Sequence, residues 1–259
     1  MHASRLGDYD NIVLSMLGSP FRTVLGAGGF GTVITTDDYP DLALKISHDM
    51  DVCPEWTQEY DVKNMIYENY DSRGRTVRVV RPLQFAYIEG RRCYILMRRV
   101  CSPENSTVAM HALLGEIDYD QTHGKRGRFV GQQFLGRYLD LEAVAVDLGV
   151  FLGTVHFRLG LDGNDLEYIL GKRCGVDEKD RINVIDFGMV RDFTIKGAQS
   201  SIDAMPYFPL HSTCEYYDCT VEQTDFNARI SELFAESYIS EAEQYGKGDE
   251  AAEILASVQ

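Results

Sequence analysis

Lys45 stands in LALKIS, a lysine within an otherwise apolar run. A buried ammonium is costly unless it meets an anion, and Glu59, on the helical stretch that follows, can supply one. Upstream, Gly26, Gly28 and Gly31 in LGAGGFGTV fall at G-x-G-x-x-G. They lie between two strand-like stretches, whereas a dinucleotide fingerprint opens a helix. A glycine hairpin in that place lets main-chain amides approach phosphate, with Phe30 capping the turn. Further on, INVIDFGMV is an apolar run that ends in Asp186, followed by Phe187 and Gly188. A strand that ends in an acid and then a glycine delivers a carboxylate to a cation bound by phosphate. These residues point to phosphate held by amides and a lysine, with a divalent cation neutralising its charge.

The elements that must position them can be read from the pattern of the chain. FRTVLG, TVITT and DLALKIS read as three strands of a meander, the last entered through the DDYPD turn. Pro54 opens a helix that runs to about Tyr70, with Trp56, Tyr60, Met65 and Ile66 near one face and acids early in it. TVRVVRPLQFAYIEG and RRCYILMRRV follow as two more strands around Glu89 and Gly90. Beyond Cys101-Ser102-Pro103 the chain is expected to be mostly helical. The stretch from about Phe134 to Phe157 is dense enough in apolar residues for one buried helix or a pair, ending near His156, which reads as a core histidine. LEYIL and INVIDF are short strands separated by GKRCGVDEKDR. Phe226, Ile230, Leu233, Phe234 and Tyr238 mark an amphipathic helix with Thr224 as its cap.

The chain has 259 residues, 44% of them hydrophobic, enough for a sizeable core. Its most apolar segment, LEAVAVDLGVFLGTVHF, is interrupted by Asp147 and two glycines, so no membrane helix is expected. MHASRLGDYD is too polar for a signal peptide. The six cysteines are scattered, which leads to an expectation of reduced thiols and an intracellular, cytoplasmic location. Cys214 and Cys219 have the look of half a zinc site, but no second Cys/His pair at suitable spacing completes it, so metal binding by cysteine is not expected. A net charge of −15 disfavours nucleic acid and anionic membranes and favours basic partners. Arginines crowd the stretch from Arg73 to Arg99 and alternate with valines, as on the wet face of strands; a patch for phosphate or a partner is the alternative.

G-A-G-G-F-G-T-V, A-L-K and D-F-G, in this order, resemble the protein-kinase superfamily over about residues 20–195. YILMRRV, VHFRLGLDGNDLEYILG, INVIDFGMVRDF and AMPYFPL look more like a kinase-related domain of unknown function found in fungal proteins, a resemblance that reaches about Tyr238. The resemblance implies an α+β, two-lobed kinase-like fold. Residues 1–20 would be an extension and residues 21–102 an N-terminal lobe of five antiparallel strands and one helix. Residues 103–259 would form a reduced, mainly helical C-terminal lobe. It also implies ATP and Mg2+ as cofactors, with Gly26, Gly28, Phe30, Gly31, Val33, Lys45, Glu59 and Met97 around the nucleotide.

Kinase catalytic loops place a base Asp five residues before a metal-binding Asn that precedes a short apolar strand. Counting back from YIL puts Glu167 at the Asn position, beside Asp186 as the second metal ligand, and Asp162 at the base position. Asp165 is a rival base. Gly160 and Leu161 replace the His-Arg of the family, and no Ala-Pro-Glu follows Gly188, which places a peptide-substrate platform in doubt. Two functions follow. One is an atypical phosphotransferase that acts on a hydroxyl of a protein or a small molecule. The other is a pseudokinase, an interaction module with or without nucleotide.

Overall fold

The computed structural model describes residues 23–88, 92–104, 108–203, 207–210, 214 and 218–258. The expected N-terminal extension, the Glu89-Gly90 turn and part of AMPYFPL lie outside the described residues.

The first sheet is antiparallel, and its first three strands form the expected meander. It consists of β1 (Thr23–Ala27), β2 (Gly31–Thr35), β3 (Leu42–Ser47), β5 (Pro82–Ile88) and β6 (Arg92–Arg98), in the order β1-β2-β3-β6-β5. Helix α1 (Cys53–Asn69), opened by Pro54, buries Trp56, Glu59, Val62, Lys63 and Ile66, a stripe at helical spacing that packs on β5 and β6. Gly31 allows that packing. A Cβ there would lie 2.4 Å from the Trp56 ring and 2.7 Å from the Ile46 carbonyl oxygen.

β4 (Val77–Val79) leaves this unit and joins the second sheet, parallel to β12 (Arg181–Ile185). That sheet runs β4-β12-β11-β8-β10-β9, with β8 (Met110–Ala112), β9 (Asp120–Thr122), β10 (Arg128–Val130) and β11 (Glu167–Arg173), while β7 (Val100–Cys101) pairs with β11 off this path. The expectation of a mostly helical chain beyond Cys101 therefore needs correction over residues 110–130. MHA, DQT and RFV are only three residues each, too short to show a period, and their pairing is set by partners distant in sequence.

The helical layer follows. After a short α2 (Gln132–Leu135), α3 (Leu141–Gly153) starts at Asp140, whose side chain accepts from the amides of Glu142 and Ala143. It passes into a single π turn over Thr154–Arg158. His156 there is 1% exposed, with Nε2 bonded to the carbonyl of Asp162 and Nδ1 to the Tyr238 hydroxyl, so it is a core histidine. Helices α4 (Ile195–Asp203), α5 (Val221–Glu243) and α6 (Gly248–Val258) complete the layer around the largest apolar cluster. Helix α5 begins four residues earlier than expected. Its cap is Thr220, not Thr224, because Thr220 and Gln223 bond reciprocally in a capping box.

The expectation of reduced thiols is also corrected. Cys53 is bonded to Cys93, Cys101 to Cys174 and Cys214 to Cys219, which leaves no free cysteine and no thiol for zinc. Partners 40 and 73 residues apart meet only through the fold. The pairing removes the support that free thiols gave to an intracellular location. Among the described residues, no helix is long and apolar enough to cross a membrane.

Candidate functional site

The strongest local arrangement is built on β3 and α1. Lys45 Nζ donates to both carboxylate oxygens of Glu59, at 2.8 and 2.7 Å, and lies 3.5 Å from Asp186 Oδ1. Glu59 is 2% exposed, and the Cys53–Cys93 bridge ties the first turn of its helix to β6. Burial works against the charge on Lys45, but Glu59 and then Asp186 outweigh it and hold the ammonium above its ordinary value. One carboxylate fixes the lysine, and a second, at the end of β12, lies beside it.

Asp186 leaves β12 with φ +53°, and Asp165 adopts φ +59° in the turn before β11. Glu167 opens β11 directly across from Ile185, so the open end of the β11/β12 hairpin presents Asp165, Glu167 and Asp186 together. Burial, then the charges of Asp186 and Asp165, push the Glu167 carboxyl up to about 7, against the pull of Lys45. Asp165 is raised by burial and by Asp186. Mutual repulsion of this kind is relieved by a cation.

These groups line one cavity of about 560 Å³ between the two sheets. Gly26, Gly28, Phe30, Gly31, Val33, Lys45, Glu59 and Met97 all line it, as do Asp165, Glu167 and Asp186. Phe30 is 65% exposed at the tip of the glycine hairpin, where Gly28 N donates to Gly31 O. A Cβ on Gly28 or Gly29 would meet nothing within 4 Å, so the main chain of that turn borders open space.

Asp162 is not among the lining residues. It is 4% exposed, and its carboxylate accepts from the amides of Arg191 and Asn164, at 2.9 and 3.1 Å, and from Asn164 Nδ2 at 2.6 Å. Its own amide donates to the Arg191 carbonyl. The two candidate bases thus separate: Asp165 borders the cavity, while Asp162 fastens the loop to the segment after Gly188.

Two lining residues escape a reading of the sequence. Lys63, one turn beyond Glu59 on the buried face of α1, is 1% exposed; its Nζ reaches Met97 Sδ at 3.6 Å and sits 5.4 Å from the centre of the Phe187 ring. Burial is the largest influence on it and pulls it down to about 8, with Glu59 opposing. Its spacing from Glu59 was the available signal. His111, in β8, is 4% exposed and stacked on Phe129; burial holds its pKa below the ordinary imidazole value, against the Arg126 carbonyl and the charge of Asp186. Nothing in the local sequence marks it.

Among the described residues, no three His, Cys, Asp or Glu side chains form a group that could hold a metal ion by themselves. The paired acids Glu167 and Asp186 nonetheless suit a hard cation that a phosphate also ligates. No family model and no curated protein matches the chain. Among solved structures, it is similar to the GDP complex of wild-type aminoglycoside 2'-phosphotransferase-IIIa, at 11% identity over 98% of each chain with a TM-score of 0.45. It is also similar to the Mycobacterium tuberculosis PknI kinase domain, at 14% identity over 93% of this chain and 96% of that one, with a TM-score of 0.42.

Proposed function

We propose that this chain is an atypical kinase-like phosphotransferase that uses ATP and Mg2+ to phosphorylate a hydroxyl of a protein or small molecule. The observation that carries this reading is the convergence of Lys45, Glu59 and Asp186 at one end of a nucleotide-sized cavity, under a glycine hairpin. Lys45 binds phosphate oxygens while Glu59 holds it extended. The amides around Gly28 and Gly29 approach the same phosphates. Asp186 and Glu167 would hold Mg2+, which when bound supplies charge neutralisation for the transferring phosphoryl group. Asp165 accepts the proton of the acceptor hydroxyl; its carboxyl, raised by burial and by Asp186, is better suited to that role than one already consumed by hydrogen bonds. Asp162 positions the loop. Catalysis on this scheme is chiefly positioning and charge stabilisation.

A second reading is a nucleotide-binding module that transfers nothing, and the engagement of Asp162 by Arg191 and Asn164 favours it. The test is thermal stability with ATP, with and without Mg2+, for the wild type, Lys45→Ala and Asp186→Ala. Stabilisation that depends on Mg2+ and is lost in both variants supports the nucleotide site. Absence of any shift at millimolar ATP eliminates the enzyme reading. Phosphate transfer that vanishes in Asp165→Asn, while the ATP shift persists, separates the enzyme from the binding module.

A further inference from the structure

His111 is held as a ligand is held. β8 pairs with β11 through His111 and Ile169, which brings the imidazole beside Glu167, two residues along the same face of β11. Its Nε2 lies 3.0 Å from the carbonyl oxygen of Arg126. A carbonyl only accepts, so Nε2 carries the proton, and in the neutral ring Nδ1 is left with a lone pair. The ring cannot turn away. Phe129 stacks on it with centroids 4.4 Å apart and planes 13° from parallel. Gly127, at φ +124°, brings the main chain against its edge; a Cβ there would lie 2.8 Å from His111 Cδ2.

Nδ1 is buried and has no hydrogen-bond partner. It faces Glu167 Oε2 at 3.8 Å, and both residues line the cavity that contains Asp186. Two acceptors at that separation are too far apart to share a proton directly. An ion about 2.1 Å from each atom would span that gap at an open angle of roughly 130°, so a small approach of the Glu167 carboxylate closes the site. The N–H donated to a main-chain carbonyl is the support that metal-bound histidines almost always have.

We propose that His111 Nδ1 and Glu167 form a mixed nitrogen and oxygen cation site, beside Asp186, that takes a borderline first-row divalent ion such as Mn2+ in preference to Mg2+. Imidazole suits first-row ions, whereas Mg2+ is served by oxygen alone. Two side chains do not fill a coordination sphere, so phosphate or water completes it. The proposal rests on reading the cavity as a nucleotide site only for that completion.

The experiment is pulsed electron paramagnetic resonance of Mn2+ bound to the full chain, alone and with ADP, for the wild type, His111→Gln and Glu167→Gln. The expected result is nitrogen modulation from a directly bonded imidazole in the wild type, absent in His111→Gln. Mn2+ affinity should fall at least roughly tenfold in both variants, with Mg2+ affinity in His111→Gln little changed. Bound Mn2+ without nitrogen modulation in the wild type overturns the proposal and leaves the nucleotide reading standing. So does the absence of Mn2+ binding in a chain that ATP and Mg2+ stabilise. Nitrogen modulation with Mn2+ alone, in a chain that ATP fails to stabilise, upholds the cation site and removes the nucleotide reading. The wild-type spectrum decides the matter even where a variant does not fold.

Discussion

Lys63 should be a liability to the fold that pH can relieve. Its ammonium is 1% exposed, hydrogen-bonded only to a thioether and lying over a phenyl ring, and Lys45 already takes both oxygens of the nearest carboxylate. A lysine held at about 8 in the folded chain, against 10.5 when free, binds its proton more weakly than in the unfolded chain. At about 1.4 kcal/mol per factor of ten, the charged form costs roughly 3 kcal/mol at pH 7. Because the unfolded chain binds more protons between pH 8 and 10.5, stability rises with pH across that window. Below the folded value the full cost is present; by pH 9.5 it has fallen to roughly 1 kcal/mol. Lys63→Met keeps the length and removes the charge, so it should stabilise the protein at pH 7 by roughly 3 kcal/mol, less any loss of attraction to Glu59. Urea denaturation of both proteins at pH 7 and 9.5 measures this, with the wild type gaining about 2 kcal/mol on the variant as pH rises. A variant that is less stable at pH 7, or a difference that does not change with pH, refutes the reasoning.

Other consequences follow from named contacts. Glu59→Gln strips the carboxylate from both Lys45 and Lys63 and should cost roughly 3 kcal/mol or more in urea denaturation without nucleotide; a loss under 1 kcal/mol would contradict the described pairing. Asp162→Asn should lower stability by roughly 1 to 2 kcal/mol through weakened bonds to Arg191 and Asn164, whereas Asp165→Asn should leave the melting temperature nearly unchanged and abolish transfer. The reverse assignment would show itself in the same two assays. Thiol titration of the native, unreduced protein should find no free cysteine, and Cys53→Ser with Cys93→Ser should cost about 4 kcal/mol for the loop the bridge closes. Six reactive thiols in the native chain would contradict this.

The parts of the site legible in the sequence are those carried by local patterns. A glycine hairpin between strands, a lysine in an apolar strand, a glutamate on the next helix and an acid after an apolar run each declare a position within a few residues, and the fold brings them to one cavity. What was not legible depends on partners distant in sequence. Asp162 and Asp165 look alike in LDGND, and what distinguishes them is the pairing of Asp162 with the distant main chain of Arg191. His111 acquires its setting from Arg126, Phe129 and Glu167, none of which its own segment predicts. Short β8, β9 and β10 carry no period of their own. The cysteines, scattered along the chain, are adjacent in space for the same reason.

The course of β4 has a consequence for the protein as a physical object. Val77–Val79 precedes the end of the first sheet in sequence yet hydrogen-bonds into the second, while Arg75 reaches Asp147 at 2.8 Å and Arg181 reaches the carbonyl of Arg75 at 3.0 Å. A cut at residue 102 would therefore separate a strand from its own sheet and expose the edge of β12. The halves are interlaced through a shared sheet, not merely joined. Melting should be a single event, and a ligand that grips any wall of the cavity stabilises the whole chain.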